Sequence, residues 1–297
     1  MVGGTGTGSG AGVLLALFGT FGFSAKAIIV KLAYRHGVDA VTLIAYRMLF
    51  ALPLFAALAW WSGRGRPALT RRDLWVVGGL GFSGYYLASF LDFVGLAYIT
   101  ASLERLILYL SPTLVLGLGA LLFGRKPSAR QIGALAVSYA GVLLVFGHEV
   151  RLAGADVALG AALVFASALS YAFYLVYSGE EVRRIGAARL AGLASCVACV
   201  LCIVQFLVLR PLSALAVAPE VIGLSLLNAT ISTFAPVLMV MLAIERIGAP
   251  LTAQIGMIGP LSTIAMGVLL LGEPFTLWTA TGTLLVLTGI GLLTRWR

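Results

Sequence analysis

The stretch ASLERLILYLSPTLVLGLGALLFG at residues 101–124 has a counterpart in APLTAQIGMIGPLSTIAMGVLLLG at residues 249–272. The two stretches align without a gap at a shift of 148 positions, and the same shift relates residues along the whole chain. The matched pairs are Gly12 with Gly160, Ala101 with Ala249, Pro112 with Pro260, Gly124 with Gly272, and Gly141 with Gly289. The proline pair carries most weight, because the chain has 10 prolines but 36 glycines. We therefore predict two repeated halves, residues 1–148 and 149–297.

Long apolar runs make up most of both halves. Hydrophobic residues occupy 61% of the 297 positions and charged residues 10%, whereas an ordinary soluble domain has about 25% charged residues. A helix needs about 20 apolar residues to cross the hydrocarbon core of a bilayer. The runs have that length and predict ten spans, at residues 12–34, 40–61, 74–98, 102–123, 129–147, 157–178, 189–209, 220–244, 249–271 and 275–294. With five spans in each half, the second half must enter the membrane from the opposite face, as in many secondary transporters.

The pattern of these runs distinguishes helices from other membrane structures. The strands of an outer-membrane barrel alternate polar and apolar residues, but these runs are apolar all round. The glycine-rich start at residues 1–10 has no basic residue before the first apolar run, so we expect no cleaved signal peptide and a first span that stays in the protein. The predicted fold is an all-α integral membrane protein.

The distribution of basic residues predicts the topology. One set of loops and ends carries thirteen of them: Arg64, Arg66, Arg71, Arg72, Arg125, Lys126, Arg130, Arg183, Arg184, Arg189, Arg246, Arg295 and Arg297. The loops on the other side carry four: Arg35, Arg105, Arg151 and Arg210. Because basic loops stay in the cytoplasm, we expect both termini to be cytoplasmic in a bacterial inner membrane. The net charge of +9 is then a topology signal and not a nucleic-acid site.

Two patterns resemble cofactor sites but do not meet their requirements. Cys196, Cys199 and Cys202 have the spacing of part of an iron–sulfur ligand run. They fall inside the seventh span, a helix spreads them around its surface, and the sequence has no fourth cysteine. We expect them to pack between helices. The sequence also has no G-x-x-x-x-G-K-[ST] loop, so neither a metal nor another cofactor is predicted.

Pro112 and Pro260 fall near the middle of predicted spans four and nine. Each removes a backbone donor at mid-membrane, and breaks in corresponding helices of two halves are the best sequence pointer to a transporter's binding site. The alternative is a kink that only shapes helix packing. A break that also flexes during gating is consistent with both interpretations.

Charged residues inside a membrane are costly, so each needs a partner or a purpose. Lys26, Lys31, Arg47 and Asp92 lie inside predicted spans of the first half. In one interpretation Asp92 neutralises Arg47 or Lys26 as a buried pair, and Lys31 reaches the interface. In the other, Lys26 or Asp92 meets a carboxylate or ammonium group on a ligand. Both interpretations place a charged cluster in the periplasmic half of the membrane.

Aromatic and polar side chains on several spans predict the lining of a chamber. Tyrosine in lipid must satisfy its hydroxyl, which favours an interface or a wet cavity. The predicted cavity residues are Lys26, Tyr85, Tyr86, Asp92, Tyr109, Ser111, Tyr171, Tyr174 and Asn228. In this hypothesis the tyrosines contact the ring or alkyl part of a small amphipathic solute, and Ser111 and Asn228 contact its polar atoms.

The run GLAYITAS at residues 95–102, followed by Pro112 and Gly124, resembles the repeat signature of EamA-type transporters of the drug/metabolite superfamily. The second copy of the signature runs from LAI at 242–244 through Ala249 and Pro260 to GEP at 272–274. In addition, YRMLFA at 46–51 is similar to the family's arginine-bearing second helix, and Lys31 fits the family's first helix. The resemblance covers the whole chain and is greatest to the bacterial YddG-type exporters. It implies two inverted five-helix repeats around a central cavity, and export of aromatic amino acids and related metabolites.

One departure from the family pattern concerns the helix ends. The Gly-Glu pair that follows the family's fourth helix reads Gly124-Arg125 here, whereas Gly272-Glu273 keeps it.

These observations together predict a secondary transporter that exports small metabolites, aromatic and other amino acids first among them, by alternating access. A carrier for another metabolite or a drug-like solute is the alternative within this class, and a channel is the alternative outside it. A membrane enzyme would need paired carboxylates or histidines at one face, but His36 and His148 are single and lie in predicted loops. We therefore expect no enzymatic activity, a small-molecule partner and the lipid bilayer as surroundings.

Overall fold

The computed structural model describes residues 6–124 and 128–295, and helices account for nearly all of them. Ten helices follow one another along the chain: α1 Gly6–Tyr34, α2 Ala40–Gly63, α3 Arg71–Leu96, α4 Ala101–Phe123, α5 Ala129–Ala153, α6 Ala155–Ile185, α7 Ala187–Leu209, α8 Pro219–Gly248, α9 Gln254–Leu271 and α10 Leu277–Arg295. In the described residues, nine are long and apolar enough to cross a membrane, and Leu277–Leu293 of α10 is a shorter apolar helix. The predicted all-α membrane fold is confirmed.

Successive spans run in opposite directions, so their connections alternate between two ends of the bundle. We name these ends by a residue at each. The Lys31 face holds the connections at residues 35–39, 97–100, 154, 210–218 and 272–276. The Arg66 face holds those at 64–70, at Gly124 and Ser128, at Gly186 and at Gly248. Gly124 and Gly272 end α4 and α9 in the same left-handed conformation, with φ of 63° and 71°. Only glycine adopts this conformation without strain, which explains its presence at both repeat-related positions.

Interruptions of the helices recur at the repeat shift of 148 positions. The helix of α4 stops at Leu108 and resumes at Ser111, and that of α9 stops at Gly256 and resumes at Gly259. Wider π-helical turns interrupt α3 at Phe82–Leu87 and α8 at Thr230–Phe234. The two halves therefore share irregular features as well as helices, and such π-turns often occur at functional sites.

The prolines explain the two breaks. Pro112 has no N–H for the carbonyl of Leu108, four residues earlier, and the hydroxyl of Ser111 donates to that oxygen at 2.6 Å. Pro260 leaves the carbonyl of Gly256 without a partner in the same way, and the hydroxyl of Tyr109 donates to it from α4. Each carbonyl that lacks its helical hydrogen bond thus gains a side-chain donor, as a polar backbone group inside a membrane requires.

Helix packing follows the same two-fold relation. α2 packs against α7 and α5 against α10, so that each helix meets its own counterpart in the other half. A Cβ atom on Gly141 would lie 2.6 Å from the carbonyl oxygen of Gly282, and one on Gly289 would lie 2.7 Å from that of Ala134. These two contacts are repeat-related, and small residues let the backbones of α5 and α10 approach closely. The packing of the two halves therefore follows a two-fold relation.

Candidate functional site

A charged cluster made of Lys26, Asp92 and Glu104 lies inside the helix bundle. The ammonium of Lys26 on α1 donates to Oδ2 of Asp92 on α3 at 2.5 Å and to Oε1 of Glu104 on α4 at 2.8 Å. The side chain of Glu104 is 0% exposed and that of Asp92 5%. Burial of this kind makes each member dependent on the others, because an unpaired charge there would be strongly destabilising.

Both carboxylates of the charged cluster keep one oxygen without a donor. Among the described residues, Oδ1 of Asp92 and Oε2 of Glu104 are buried and have no hydrogen-bond partner. A buried carboxylate oxygen normally accepts a hydrogen bond. The cluster therefore has acceptor capacity that the described part of the protein does not use.

The structure shows how the intramembrane charges pair. Lys26 and Asp92 bind each other, as the buried-pair interpretation has it, and Glu104 joins them. The placement of Arg105 in a loop is wrong, because Glu104 and Arg105 both lie within the helix that begins at Ala101. Glu104 was missed as a site residue because it stands near the start of a predicted span. Its position four residues after the N-cap hydroxyl of Thr100 was the available signal, since acidic residues favour a first helical turn.

Next to the charged cluster, three side chains join the first half to the second. Nη2 of Arg105 donates to the hydroxyl of Ser24 at 3.3 Å, and that hydroxyl donates to the carbonyl of Gly259 at 3.0 Å. The guanidinium of Arg105 also lies 5.4 Å from the ring centre of Tyr109, within reach of a cation–π interaction. The broken parts of α4 and α9 are thus in contact through polar groups beside the charges.

Three of the predicted cavity tyrosines form a separate tyrosine cluster of Tyr85, Tyr171 and Tyr174. The hydroxyls of Tyr85 and Tyr174 are 3.2 Å apart, and the rings of Tyr171 and Tyr174 stack with centres 5.6 Å apart. They pack with Val77, Leu80 and Leu190, in an apolar cluster distinct from the one around Phe93. Tyr174 is the repeat counterpart of Lys26, whereas Tyr85 lies in the first half, so the tyrosine cluster joins the two halves and corresponds to the charged cluster at this one position.

The remaining predicted residues divide between the two clusters and the helix breaks. Tyr86 is partly buried and packs with the apolar cluster that contains Phe93, close to the charged cluster. Tyr109 and Ser111 use their hydroxyls on the carbonyls that the prolines release. Asn228 is fully buried on α8. The structure therefore brings Lys26, Asp92 and Tyr86 into one region, and it holds Tyr85, Tyr171 and Tyr174 apart from it.

Arg47 lies in the same region as the charged cluster, although it was not among the predicted site residues. Its guanidinium is 5.0 Å from the ring centre of Phe93, the residue after Asp92. Nε of Arg47 donates to the hydroxyl of Thr233 on α8 at 3.0 Å. The side chain is buried, with 7% of its surface exposed.

A pocket of about 280 Å³ opens at the Lys31 face and is lined by Lys31, His148, Glu149 and Glu273 among others. Its charged side chains hold the turn between α3 and α4. Lys31 donates to the carbonyl of Ile99 at 2.7 Å, and Glu273 accepts from the N–H of Ala101 at 2.7 Å. None of the predicted cavity residues lines this pocket. Arg125, the repeat counterpart of Glu273, lies outside the described residues.

Two further contacts stabilise the Lys31 face. Asp39 caps the start of α2 and pairs with Nε of Arg210 at 3.2 Å. Partial burial alone would raise the pKa of Asp39. The hydrogen bonds from Thr42 and Arg210 together lower the pKa by more than burial raises it, so the pKa lies below its usual value. The carboxylate therefore remains ionised at neutral pH and links the first half to the second.

The cysteines of α7 take part in packing. Cys199 and Cys202 are buried in the apolar cluster around Phe93, and the thiol of Cys199 lies 3.6 Å from the sulfur of Met48. The ligating groups within the described ranges include no cluster of three that would hold a metal ion.

Comparison with known proteins gives the family. The model of the EamA-like transporter family matches twice, at residues 10–147 and 158–295. An uncharacterized transporter of Bacillus subtilis (strain 168), YcbK, is 32% identical over 270 residues, which cover 89% of this chain and 86% of that protein. A solved crystal structure that is 18% identical superposes with a TM-score of 0.64, covering 96% of this chain and 99% of the other. At that identity the structural likeness concerns the fold alone.

The chain belongs to the EamA-like transporter family, since the family model covers nearly all of it in two copies. It is a multi-pass membrane transporter and not an enzyme.

Proposed function

We propose that this member of the EamA-like transporter family is a secondary carrier that exports amino acids, including aromatic ones, by alternating access. The observation that carries the proposal is the charged cluster, where Asp92 and Glu104 each keep a buried oxygen without a donor from the described part of the chain. An ammonium group is a donor of suitable charge for such oxygens. The α-amino group of an amino acid would therefore bind there, beside Lys26.

Aromatic side chains on α3, the helix that carries Asp92, support a solute with an aromatic or alkyl part. Tyr86 and Phe82 form a ring pair with centres 5.4 Å apart on the π-helical turn of α3, and Phe93 lies next to Asp92. Aromatic rings give an apolar solute a large contact area with few rotatable bonds. The tyrosine cluster would line another part of the path, since its Tyr174 is the repeat counterpart of Lys26.

The predicted site residues keep their roles in this proposal. Lys26 and Asp92 meet the charged end of the solute, the tyrosines contact its ring, and Asn228 contacts its polar atoms. Ser111 and Tyr109 act through the helix breaks, because their hydroxyls bind the carbonyls that the prolines release. Exchange of those hydrogen bonds with solute or water would let α4 and α9 flex at Pro112 and Pro260.

Alternating access would use the two-fold relation between the halves. One half rocks against the other about the central region, so that the Lys31 face and the Arg66 face open in turn. The excess of basic residues at the Arg66 face supports a cytoplasmic location for that face and for both termini. Export then means loading from the Arg66 face and release at the Lys31 face.

Flux measurements in proteoliposomes test the proposal. The purified protein is reconstituted, and counterflow of labelled phenylalanine, tyrosine, leucine and glutamate is measured against concentration. We expect saturable counterflow of at least one aromatic amino acid, and its loss in Asp92→Asn, Tyr86→Ala and Asn228→Ala. Asp39→Asn is the matched control, because that carboxylate lies at the Lys31 face and is 39% exposed.

Two outcomes would contradict the proposal. Counterflow for none of the amino acids would remove the solute class, and a flux that rises linearly with concentration would indicate a channel. Full flux in the Tyr86→Ala and Asn228→Ala variants would remove those two residues from the site.

A further inference from the structure

Arg47 is a buried cation with donor capacity that the described residues do not use. Its Nε bonds to Thr233 at 3.0 Å, but Nη1 is buried and has no acceptor among the described residues. The ion pairs of the described residues do not include Arg47. A guanidinium inside a membrane normally pairs with an anion or with carbonyl groups, so an acceptor is missing here.

The charges around Arg47 do not balance. Lys26, Arg47 and Arg105 are basic and Asp92 and Glu104 are acidic, which gives these five buried or half-buried groups a formal charge of +1. Asp92 and Glu104 already bind Lys26. A negatively charged group from outside the protein would be attracted to this positive charge, and it would meet a donor at Nη1 of Arg47.

Helix α8, beside Arg47, also carries buried polar atoms that have no hydrogen-bond partner among the described residues. Asn228 is 0% exposed, and neither its amide nitrogen nor its amide oxygen has a partner among the described residues. Thr233, which accepts from Arg47, donates to the carbonyl of Asn228 at 2.8 Å. Thr233 thus connects Arg47 to the backbone of Asn228, and the two unpartnered side chains lie near the same π-helical turn of α8.

We infer that Arg47, together with the amide of Asn228, binds the carboxylate of the transported solute. A guanidinium presents several parallel N–H groups and matches the planar carboxylate. The inference rests on the proposed function, which accounts for the solute's ammonium group, and it adds a binding site for the solute's carboxylate. The ammonium binds at the free oxygens of Asp92 and Glu104, the carboxylate binds at Arg47, and the ring of Phe93 separates the two ends.

The two halves of the protein differ at this place. The repeat counterparts of Arg47 and Thr233 are Ser195 and Tyr85. The hydroxyl of Ser195 is buried, and no described residue bonds to it. The anion site therefore combines Arg47 of the first half with α8 of the second and has no equivalent at the repeat-related place, where Ser195 and Tyr85 are suited to the uncharged part of a solute.

Thermal stabilisation of the purified, detergent-solubilised protein by matched solutes tests the inference. The solutes are phenylalanine, 3-phenylpropionate, which lacks the amine, and phenethylamine, which lacks the carboxylate. We expect phenylalanine and 3-phenylpropionate to bind Arg47→Gln about 10- to 100-fold more weakly than wild type, the usual effect of losing a charged hydrogen bond. Binding of phenethylamine should change less than about twofold in the same variant, because it makes no contact with Arg47.

Two variants control for the fold of the protein. Arg47→Lys keeps the positive charge but not the fork of donors, and we expect an intermediate loss for the carboxylates alone. Arg151→Gln removes an exposed arginine at the Lys31 face and should leave all three solutes unchanged.

Equal weakening of all three solutes in Arg47→Gln, or unchanged binding of 3-phenylpropionate, would overturn the inference. So would a wild-type protein that no carboxylate stabilises. A third outcome separates the two proposals. If no amino acid shows counterflow but 3-phenylpropionate still binds in an Arg47-dependent way, the proposed function is contradicted and the anion site is supported.

Discussion

At the scale of the residue, the protein concentrates charge where charge is most expensive. Lys26, Asp92 and Glu104 bind one another within 2.8 Å inside an apolar bundle. Removing Lys26 would leave two buried carboxylates without their cation, which is strongly destabilising. Removing one carboxylate leaves Lys26 paired with the other, so each carboxylate can be tested alone.

Glu104→Gln should lower the free energy of unfolding by about 3 kcal/mol, because it breaks a buried ion pair of Lys26. Asp39→Asn should change it by less than about 1 kcal/mol, because the pair with Arg210 is largely exposed and Asn also caps helices. Thermal unfolding of both variants in one detergent measures the difference. Equal losses in the two variants would show that Glu104 is not held as described.

Tyr109→Phe tests the link between the two broken helices. The hydroxyl of Tyr109 donates to the carbonyl of Gly256, which Pro260 leaves without its helical donor. Its removal strands a buried acceptor, so we expect a loss of about 1–3 kcal/mol in stability. Tyr46→Phe removes an exposed hydroxyl from the carbonyl of Leu215, which water can replace. A loss in Tyr46→Phe as large as that in Tyr109→Phe would contradict this account.

Of the charged cluster, the sequence predicts Lys26 and Asp92 but misses Glu104. Lys26 and Asp92 are conspicuous because they interrupt apolar runs. Glu104 stands near a predicted helix start, where a carboxylate has an ordinary explanation in the helix dipole. Only the packing of α1 against the first turn of α4 brings it to Lys26, and no local pattern encodes that contact.

At the scale of the element, irregular helices carry the repeat. The prolines mark the breaks of α4 and α9 in the sequence, and the structure adds which hydroxyls bind the released carbonyls. No residue marks the π-helical turns at Phe82–Leu87 and Thr230–Phe234, since they arise from how α3 and α8 pack. Because the two π-helical turns are separated by the repeat shift, the position of one turn predicts the position of the other.

Gly141→Ala should destabilise the protein by about 1–3 kcal/mol, as overpacking of a tight contact does. The added Cβ would lie 2.6 Å from the carbonyl oxygen of Gly282, so α5 and α10 would have to separate. Gly133→Ala is the control on the same helix, because nothing lies within 4 Å of its added Cβ. We expect Gly133→Ala to be neutral or slightly stabilising in the same unfolding measurement. The reverse order would refute the close contact of α5 and α10.

At the scale of the whole molecule, the two-fold relation explains why the site is central and why it is lopsided. Repeat-related helices exchange contacts, so the breaks of both halves meet in one region. The charged cluster lies wholly in the first half, and the second half has Tyr174, Val240 and Thr252 at the repeat-related positions. The sequence predicts the inverted plan from span count alone, but it cannot place the tyrosine and charged clusters, because helix rotation and tilt depend on packing between distant spans.

The central claim is that the two halves are threaded through the membrane in opposite directions. Ala68 and Ala216 are repeat counterparts, and both are exposed in connections between helices. Single-cysteine variants Ala68→Cys and Ala216→Cys, made after replacing Cys196, Cys199 and Cys202, are treated with a membrane-impermeant maleimide. We expect labelling of residue 216 in intact cells and of residue 68 only after the cells are opened. Labelling of both positions from the same side would contradict the account.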